Sequence, residues 1–276
     1  MHFAKGHGTG NDFIVVPDLD DRLELGAEVV RALCDRHAGI GADGVLRVVR
    51  NESGPAPWIM DYRNADGSIA EMCGNGIRVY ARYLLDHGLA AGPDIAIATR
   101  SGVRTVRLEA DEALTVDMGP ASIGRPGWTL IGGRRYTGVA VNLGNPHLVC
   151  LIAKSLAGID LSEPPEVDPE AFPRGVNVEL VRVAGDHTLE MRVYERGSGE
   201  TLSCGTGAVA AAVAAAAAAG EWPAGGDVSW VVNVPGGRLT VAPSTTASLL
   251  TGPAVIVAEG ETNSAWLADP LVTGPV

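Results

Sequence analysis

Two cysteines of this chain of 276 residues lie in the same kind of local sequence, one in each half. Cys73 stands in Met72-Cys-Gly-Asn-Gly76 and Cys204 in Ser203-Cys-Gly-Thr-Gly207, and a helix-forming run follows each motif. A cysteine at the start of a helix faces unpaired backbone N–H groups and the positive end of the helix dipole, which both stabilise a thiolate. One such thiol would suggest a nucleophile, whereas two suggest a matched acid–base pair.

Each cysteine motif also carries groups that could hold an anionic substrate. The residues that open the two helices are Gly74 with Asn75 and Gly205 with Thr206. Their backbone N–H groups suit a carboxylate, and ordinary helix capping would not require Cys-Gly-x-Gly twice. A polar residue, Asn64 or Glu195, lies nine positions before each cysteine.

Further polar residues could tune the thiols or bind the substrate. His147 follows Pro146 in a turn, and we expect it at the rim of the site, where it would shift the pKa of a thiol. Arg196 could bind a second carboxylate through two parallel hydrogen bonds. Four asparagines in turn-like settings would hold a zwitterion without adding charge: Asn11, Asn64, Asn145 and Asn177.

The composition limits the class of protein. A formal net charge of −12 argues against a general surface for nucleic acid or anionic lipid. The first residues lack the apolar region of a signal peptide, and the most apolar run, Ala208–Ala219, is too short to span a bilayer. Four cysteines without a framework spacing favour free thiols in a reducing cytoplasm.

Cofactor chemistry has few candidate residues. Lys5 and Lys154 are the two lysines, which weakens any pyridoxal phosphate hypothesis based on a Schiff base. Neither Cys-x-x-Cys nor a paired histidine spacing is present, so we expect neither a metal site nor thioredoxin-like chemistry. Cys34 and Cys150 stand in apolar contexts, and we interpret both as structural.

The elements that must position these residues occur twice. Gly10-Asn-Asp-Phe-Ile-Val-Val has a counterpart in Gly144-Asn-Pro-His-Leu-Val-Cys, 134 positions later (144 − 10). The two cysteines are 131 positions apart (204 − 73), and the Gly-Pro pairs at Gly119 and Gly252 are 133 apart (252 − 119). Three landmarks in one order with a nearly constant offset predict two copies of one α/β unit.

We therefore predict an α/β (α+β) fold of two pseudo-symmetric domains, each a curved, partly barrel-like sheet around a central helix. A helix of Ala and Val has no polar face, so its own domain must enclose it. Residues 1–119 and 251–276 would form the N-terminal domain with Cys73, and residues 120–250 the C-terminal domain with Cys204. The active site would lie in the cleft between them, with the two thiols face to face.

A formal dinucleotide pattern is rejected on its context. Gly39-Ile-Gly-Ala-Asp-Gly44 matches G-x-G-x-x-G. That fingerprint needs a strand before it and a helix after it. Here a helical pattern precedes it and a strand-like run, from Val45 to Val49, follows it.

The motifs together resemble the diaminopimelate epimerase family, pyridoxal-independent amino-acid isomerases of the lysine and peptidoglycan pathways. The resemblance runs nearly end to end. The segments that carry it are His7-Gly-Thr-Gly-Asn-Asp-Phe, Asn64-Ala-Asp-Gly-Ser, Met72-Cys-Gly-Asn-Gly, Gly144-Asn-Pro-His, Val176-Asn177, Tyr194-Glu-Arg-Gly-Ser-Gly-Glu-Thr and Ser203-Cys-Gly-Thr-Gly.

The resemblance implies that Cys73 and Cys204 interconvert LL- and meso-diaminopimelate, each working on one face of the α-carbon. It implies that His147 and Glu195 modulate the pKa of the thiols. The implied substrate contacts are Asn11, Asn64, Gly74, Asn75, Asn145, Asn177, Glu195, Arg196, Gly205 and Thr206. It also implies a cytoplasmic homodimer without a cofactor.

Two alternatives remain open, and one position departs from the family. Many relatives carry a glutamine contact where this chain has Gly44, so one substrate contact is lost or replaced, and Asp43 is the candidate replacement. Arg196 with Asn64 and Asn177 favours a distal amino-acid group, but a racemase of another amino acid remains the alternative within the class. A non-catalytic protein that binds amino acids is the alternative from another class.

We expect catalysis without pyridoxal phosphate or metal, because two thiols supply both the acid and the base. Activity should be unchanged after dialysis against EDTA and in the presence of a carbonyl-trapping reagent. Loss of activity with either reagent, in protein whose circular dichroism spectrum is unchanged, would contradict this prediction.

Overall fold

The structure, a computed structural model, describes residues 1–223 and 228–267. The chain begins with β1 (His2–Gly8), β2 (Asn11–Pro17), α1 (Ala27–Cys34), β3 (Gly44–Arg50), β4 (Trp58–Asn64), α2 (Gly74–Asp86), β5 (Asp94–Thr99), β6 (Gly102–Leu108) and β7 (Leu114–Asp117). It continues with β8 (Ser122–Ile131), β9 (Arg134–Asn142), β10 (Pro146–Leu151), β11 (Glu166–Val167), β12 (Asn177–Gly185), β13 (Thr188–Glu195), β14 (Gly199–Thr201), α3 (Gly205–Ala218), β15 (Trp230–Val234), β16 (Gly237–Ala242) and β17 (Leu249–Gly252). The last described elements are β18 (Val255–Glu261) and α4 (Ser264–Leu267).

The chain divides into two compact units. The first unit contains Met1–Val116 together with the stretch that begins at Pro253, and the second contains Asp117–Gly252. The chain therefore leaves the first unit after β6 and β7 and returns to it with β18, which pairs antiparallel with β1.

The first unit is a sheet with the strand order β18-β1-β2-β3-β4-β5-β6-β7. Two pairs are parallel, β2 with β3 and β4 with β5, and the other pairs are antiparallel. Parallel neighbours need a crossover connection, and α1 and α2 lie in these two connections.

The second unit has the same pattern, with the order β8-β9-β10-β12-β13-β15-β16-β17. Its parallel pairs are β10 with β12 and β13 with β15, and α3 lies in the second crossover. The short strands β11 and β14 add to β8 and β13. The predicted repeat of one α/β unit is thereby confirmed in the order and direction of the strands.

Each unit has a central helix packed against its curved sheet. Helix α2 contacts six strands, β1, β2, β3, β4, β6 and β18, and α3 contacts seven, β9, β10, β12, β13, β15, β16 and β17. All residues of α3 from Gly207 to Ala216 are buried, as expected for a helix of Ala and Val without a polar face. Within the described ranges no pairing joins the outer strands β18 and β7, so this sheet curves without closing.

Two of the four cysteines lie in hydrophobic clusters beside these sheets. Cys34 packs with Ile14, Val30 and Leu33, and Cys150 packs with Leu148 and its neighbours. Burial raises the pKa of each thiol to about 12, so both stay protonated at neutral pH. None of the helices in the described ranges has the length and hydrophobicity that a membrane span requires.

Candidate active site

Cys73 and Cys204 occupy the same structural position, the N-cap of a central helix. Their backbones are extended, with φ −138° and ψ 123° at Cys73 and φ −125° and ψ 118° at Cys204. Each sulfur accepts a hydrogen bond at 3.4 Å from the backbone N–H three residues later, from Gly76 or from Gly207. Such a bond and the helix dipole both favour negative charge on sulfur.

A side chain at the position that donates to each sulfur would contact the cysteine. A Cβ atom added to Gly76 would lie 3.4 Å from Cβ of Cys73, and one added to Gly207 would lie 3.2 Å from Cβ of Cys204. The second glycine of each Cys-Gly-x-Gly motif therefore leaves room for the cysteine side chain to fold back over the first turn.

Asparagine side chains surround the Cys73 thiol. Oδ1 of Asn11 lies 3.6 Å from the sulfur and accepts a hydrogen bond at 3.3 Å from Nδ2 of Asn75. Nδ2 of Asn11 donates at 2.7 Å to Asp43, whose other oxygen binds Arg36 at 2.7 Å. The carboxylate thus fixes the amide with its oxygen towards the thiol.

A buried arginine lies one turn below Cys73, and the sequence analysis missed it. The Arg78 side chain has no exposed surface, and its nitrogens donate to the carbonyl of Gly74 at 3.0 Å and to Oδ1 of Asn75 at 2.8 Å. Burial lowers the pKa of Arg78 to about 10, and the charge of Cys73 acts in the opposite direction. The guanidinium remains a cation at neutral pH. Its position between Ile77 and Val79, in an otherwise apolar run, was the available signal.

The structure gives a physical reason for glycine at position 44. A Cβ atom at this position would lie 2.5 Å from the carbonyl oxygen of Arg63 and 2.8 Å from the ring of Tyr62. Asp43 beside it is bonded to Asn11 and Arg36. Asn64, at the end of β4, donates at 3.0 Å to the hydroxyl of Ser68.

In the second unit, the Cys204 thiol and the Glu195 carboxyl group lie close enough to shift each other's pKa. The Cys204 sulfur also lies 3.5 Å from the hydroxyl of Thr206, which accepts a hydrogen bond from Asn145 at 3.2 Å. Burial raises the pKa of Cys204 well above the usual thiol value, and the charges of Glu195 and Glu179 raise it further. Hydrogen bonds from Thr206 and Gly207 act in the opposite direction.

The pKa of the Glu195 carboxyl group is also shifted. Burial raises its pKa, although the Thr201 hydroxyl donates a hydrogen bond to it at 2.5 Å, which favours the charged form. The charge of Glu179 also raises the Glu195 pKa, and that of His147 lowers it. A carboxylate with a raised pKa is a stronger base than an ordinary glutamate.

His147, which we expected at the rim of the site, is fully buried. The buried ring is paired with Glu179 on β12, whose Oε1 lies 2.6 Å from Nδ1 of the ring. The sequence analysis missed Glu179, which sits at a core-facing position of a strand made mostly of apolar residues.

Asn177 and Arg196 are joined in the second unit. Oδ1 of Asn177 accepts a hydrogen bond at 2.9 Å from the backbone N–H of Arg196, whose guanidinium donates at 2.9 Å to the carbonyl of Arg174. Arg196 also lines a cavity of about 460 Å³, together with Tyr194 and Ser198. A cavity of about 540 Å³ in the first unit, beside Arg50, contains none of the predicted residues.

The predicted residues therefore form two groups, one in each unit. The first contains Asn11, Asn64, Cys73, Gly74 and Asn75. The second contains Asn145, His147, Asn177, Glu195, Arg196, Cys204, Gly205 and Thr206. Among the residues that the structure describes, no group of three or more His, Cys, Asp and Glu side chains could hold a metal ion.

Comparison with protein families gives one match over most of the chain. The model of the family described as Diaminopimelate epimerase matches residues 3–124 and 139–257. The diaminopimelate epimerase of Thermobifida fusca is 53% identical over 273 residues, which cover 95% of this chain and 97% of that protein. That of Streptomyces coelicolor is 50% identical over 278 residues, 96% of each chain.

Solved structures share the fold at low sequence identity. A hydroxyproline epimerase from Agrobacterium vitis aligns with a TM-score of 0.72 and 16% identity over 100% of this chain and 95% of that chain. A phenazine biosynthesis protein of the PhzF family from Bacillus anthracis aligns with a TM-score of 0.67 and 16% identity, over 95% and 99% of the two chains. At this sequence identity, the similarities show that the fold is shared.

We expect that Gly44→Gln will destabilise the protein, because the new side chain would meet the Arg63 carbonyl and the Tyr62 ring. Overpacking of this kind costs about 1–3 kcal/mol. Calorimetry should show a lower melting temperature than for Gly158→Gln, a control at a glycine with open space around it. Equal melting temperatures for the two variants would show that the strand accommodates a side chain at this position.

Proposed function

Because the chain belongs to the diaminopimelate epimerase family, we propose that it interconverts LL- and meso-diaminopimelate by inverting one α-carbon. The observation that carries the proposal is the pair of cysteines at equivalent helix N-caps, each with a backbone N–H bonded to its sulfur. The proposed enzyme is an isomerase of amino-acid biosynthesis that acts without pyridoxal phosphate.

The proposed reaction uses one thiolate and one thiol. The thiolate removes the proton from the α-carbon, so that an S–H bond forms while the C–H electron pair remains with the carbon and its carboxylate. The opposite thiol then gives its proton to the other face of the carbon, and the second sulfur becomes the thiolate. The reaction requires one thiol on each face of the same carbon, and we assign these roles to Cys73 and Cys204.

The helix starts would stabilise the charge that develops as the proton leaves. Gly74 with Asn75 and Gly205 with Thr206 form the first turns of α2 and α3, next to the two thiols. Backbone N–H groups at helix N-termini bind carboxylates, and the developing negative charge spreads onto the α-carboxylate. We propose that this carboxylate is bound there.

The groups around the thiols support different roles for the two units. Glu195 and the Cys204 thiol shift each other's pKa, so we assign Glu195 and His147 to the control of the thiol pKa. The Cys73 thiol donates to the neutral oxygen Oδ1 of Asn11. The two thiols therefore have different polar neighbours.

The remaining polar residues suit the distal amino-acid group of diaminopimelate. Arg196 retains guanidinium donors beside Asn177 and can bind a carboxylate through two parallel hydrogen bonds. Asn64 and Asn145 offer amide groups without charge. We propose that these four residues distinguish diaminopimelate from amino acids with one head group.

The organisation of the protein follows from the same proposal. We propose that the two compact units are the two epimerase domains, each of which supplies one thiol. None of the four cysteines is in a disulfide, and a reducing cytoplasm would keep them as thiols. Val255 and Val257 are exposed on β18 at 43% and 56%, which supports a homodimer that covers this strand.

The substrate assignment is tested by incubating the purified protein with LL-diaminopimelate in deuterated water, without added cofactor. We expect meso-diaminopimelate to form, with deuterium at one α-carbon, as followed by chiral chromatography and mass spectrometry. Exchange with proline or histidine but not with diaminopimelate would identify a racemase of another amino acid. Binding without any exchange would identify a non-catalytic binding protein.

The two thiols should be separable by the direction of proton transfer. In Cys73→Ser, Cys204 can still start abstraction from one stereoisomer, whereas the weakly acidic hydroxyl is a poor acid and base. Epimerisation should fall by about 10²-fold or more in each single variant, since one general acid–base step contributes roughly 10²–10⁴-fold. The measurement is the rate of LL-to-meso conversion.

A half-reaction provides the control for this prediction. A substrate analogue with a β-leaving group needs only abstraction, so Cys73→Ser should still eliminate from one isomer and Cys204→Ser from the other. Cys34→Ser should keep both activities, because Cys34 is buried in the hydrophobic core. Equal loss of elimination with both isomers in both variants would contradict the assignment of two bases.

A further inference from the structure

A hydrogen-bonded pair of titratable side chains lies in the core of the second unit. Nδ1 of His147 on β10 lies 2.6 Å from Oε1 of Glu179 on β12, and both side chains are 0% exposed. The second polar atom of each residue, Nε2 of His147 and Oε2 of Glu179, is also buried and has no hydrogen-bond partner in the part of the chain that the structure describes. Buried polar atoms without partners are costly, so the pair requires an explanation.

This pair lies directly beneath the first turn of α3. A Cβ atom added to Gly207 would be 2.8 Å from Oε1 of Glu179 and 3.2 Å from Cβ of Cys204. The carboxyl group therefore packs against the glycine whose N–H binds the Cys204 sulfur. The negative charge of Glu179 therefore lies near Cys204 and opposes ionisation of the thiol.

The first unit has an apolar pair at the equivalent positions. In the second unit His147 is paired with Asn177 across the parallel strands, and Glu179 follows two residues later. In the first unit Phe13 is paired with Gly44, and Leu46 follows two residues later.

The apolar pair also lies against the equivalent glycine of α2. A Cβ atom added to Gly76 would be 3.4 Å from Cε1 of Phe13 and 3.3 Å from Cδ2 of Leu46. Both side chains are 0% exposed. At the equivalent positions beneath the central helix, the first unit therefore has Phe and Leu, and the second unit has His and Glu.

The pair in the first unit shows what packing alone requires at these positions. Phe13 and Leu46 support the start of a central helix with no buried charge. Replacement of a buried ion pair by well-packed apolar residues is often neutral or stabilising. Packing gives no reason for His147 and Glu179, so their use must lie in charge and proton affinity.

We propose that Glu179 is a positioning residue for the epimerisation: it binds Nδ1 of His147 beneath the first turn of α3 and holds Cys204 in its protonated form in the resting enzyme. This inference rests on the proposed function and extends it, because it assigns the resting proton donor.

The charges around the two thiols agree with this assignment. Within its own unit Cys204 is faced by Glu195 from β13 and Glu179 from β12, with His147 on β10 as the counterion of Glu179. Around Cys73 the corresponding groups are the neutral amide of Asn11 and the buried cation Arg78. Anions oppose ionisation of Cys204, and a cation favours ionisation of Cys73.

The test measures the Cys204 thiolate directly and needs no turnover. In the Cys73→Ser background, the rate of Cys204 alkylation by iodoacetamide is measured from pH 6 to 11 and located by peptide mapping. Glu179→Gln preserves the shape and removes the charge. We expect the midpoint of the pH profile to fall by about one unit and alkylation at neutral pH to rise about tenfold.

A merely structural role would give a different result. Easier access of the reagent would raise the rate at every pH and leave the midpoint in place. A midpoint that is unchanged or higher in Glu179→Gln would overturn the proposal. Because alkylation is independent of the substrate, absence of diaminopimelate turnover in the parent enzyme would refute the proposed function and leave this measurement interpretable.

A second variant keeps the proposal testable if Glu179→Gln fails to fold. His147→Phe with Glu179→Leu copies the apolar pair of the first unit, and we expect its melting temperature to be at least that of the parent. Its Cys204 midpoint should also fall. In otherwise unchanged enzyme, Glu179→Gln should lower kcat more than it changes KM, since Glu179 is buried below the helix. A higher KM with an unchanged kcat would contradict the positioning role.

Discussion

The architecture depends on one interaction that occurs twice, the hydrogen bond from a backbone N–H to a cysteine sulfur at a helix N-cap. It needs an extended backbone at Cys73 and Cys204, and glycine three residues later so that the side chain can fold back. The helix behind each sulfur must be buried for its dipole to act through a medium of low polarity. The curved sheet of each unit provides that environment.

The two units share a backbone but differ in the charges behind the thiol. Their strand orders and crossovers correspond, and the cysteines have the same cap geometry. Among the differences are the charges close to each thiol, where Arg78 is buried in one unit and Glu179 in the other. A reaction that needs one thiolate and one thiol benefits from such a difference, because identical surroundings would give both sulfurs the same proton affinity.

Much of the fold and of the chemistry could be predicted from local sequence. The Cys-Gly-x-Gly motifs, the helices behind them and the constant offset between the halves are local or periodic signals, and they led to the repeated α/β unit and to the two thiols. Gly44 illustrates the limit of this approach. The sequence indicated a lost contact, whereas the backbone of β4 leaves no space for a side chain at that position.

The sequence by itself determined the family resemblance, the order of the elements and the two N-cap cysteines, since these depend on residues close together in the chain. Only the tertiary structure decided that His147 is fully buried, that Glu179 is its partner from 32 residues away, and that Arg78 lies without exposure below Cys73. The physical reason is that burial and electrostatic partners are set by strands that pair across long separations in sequence. The proton affinity of a thiol depends on those partners far more than on its own motif.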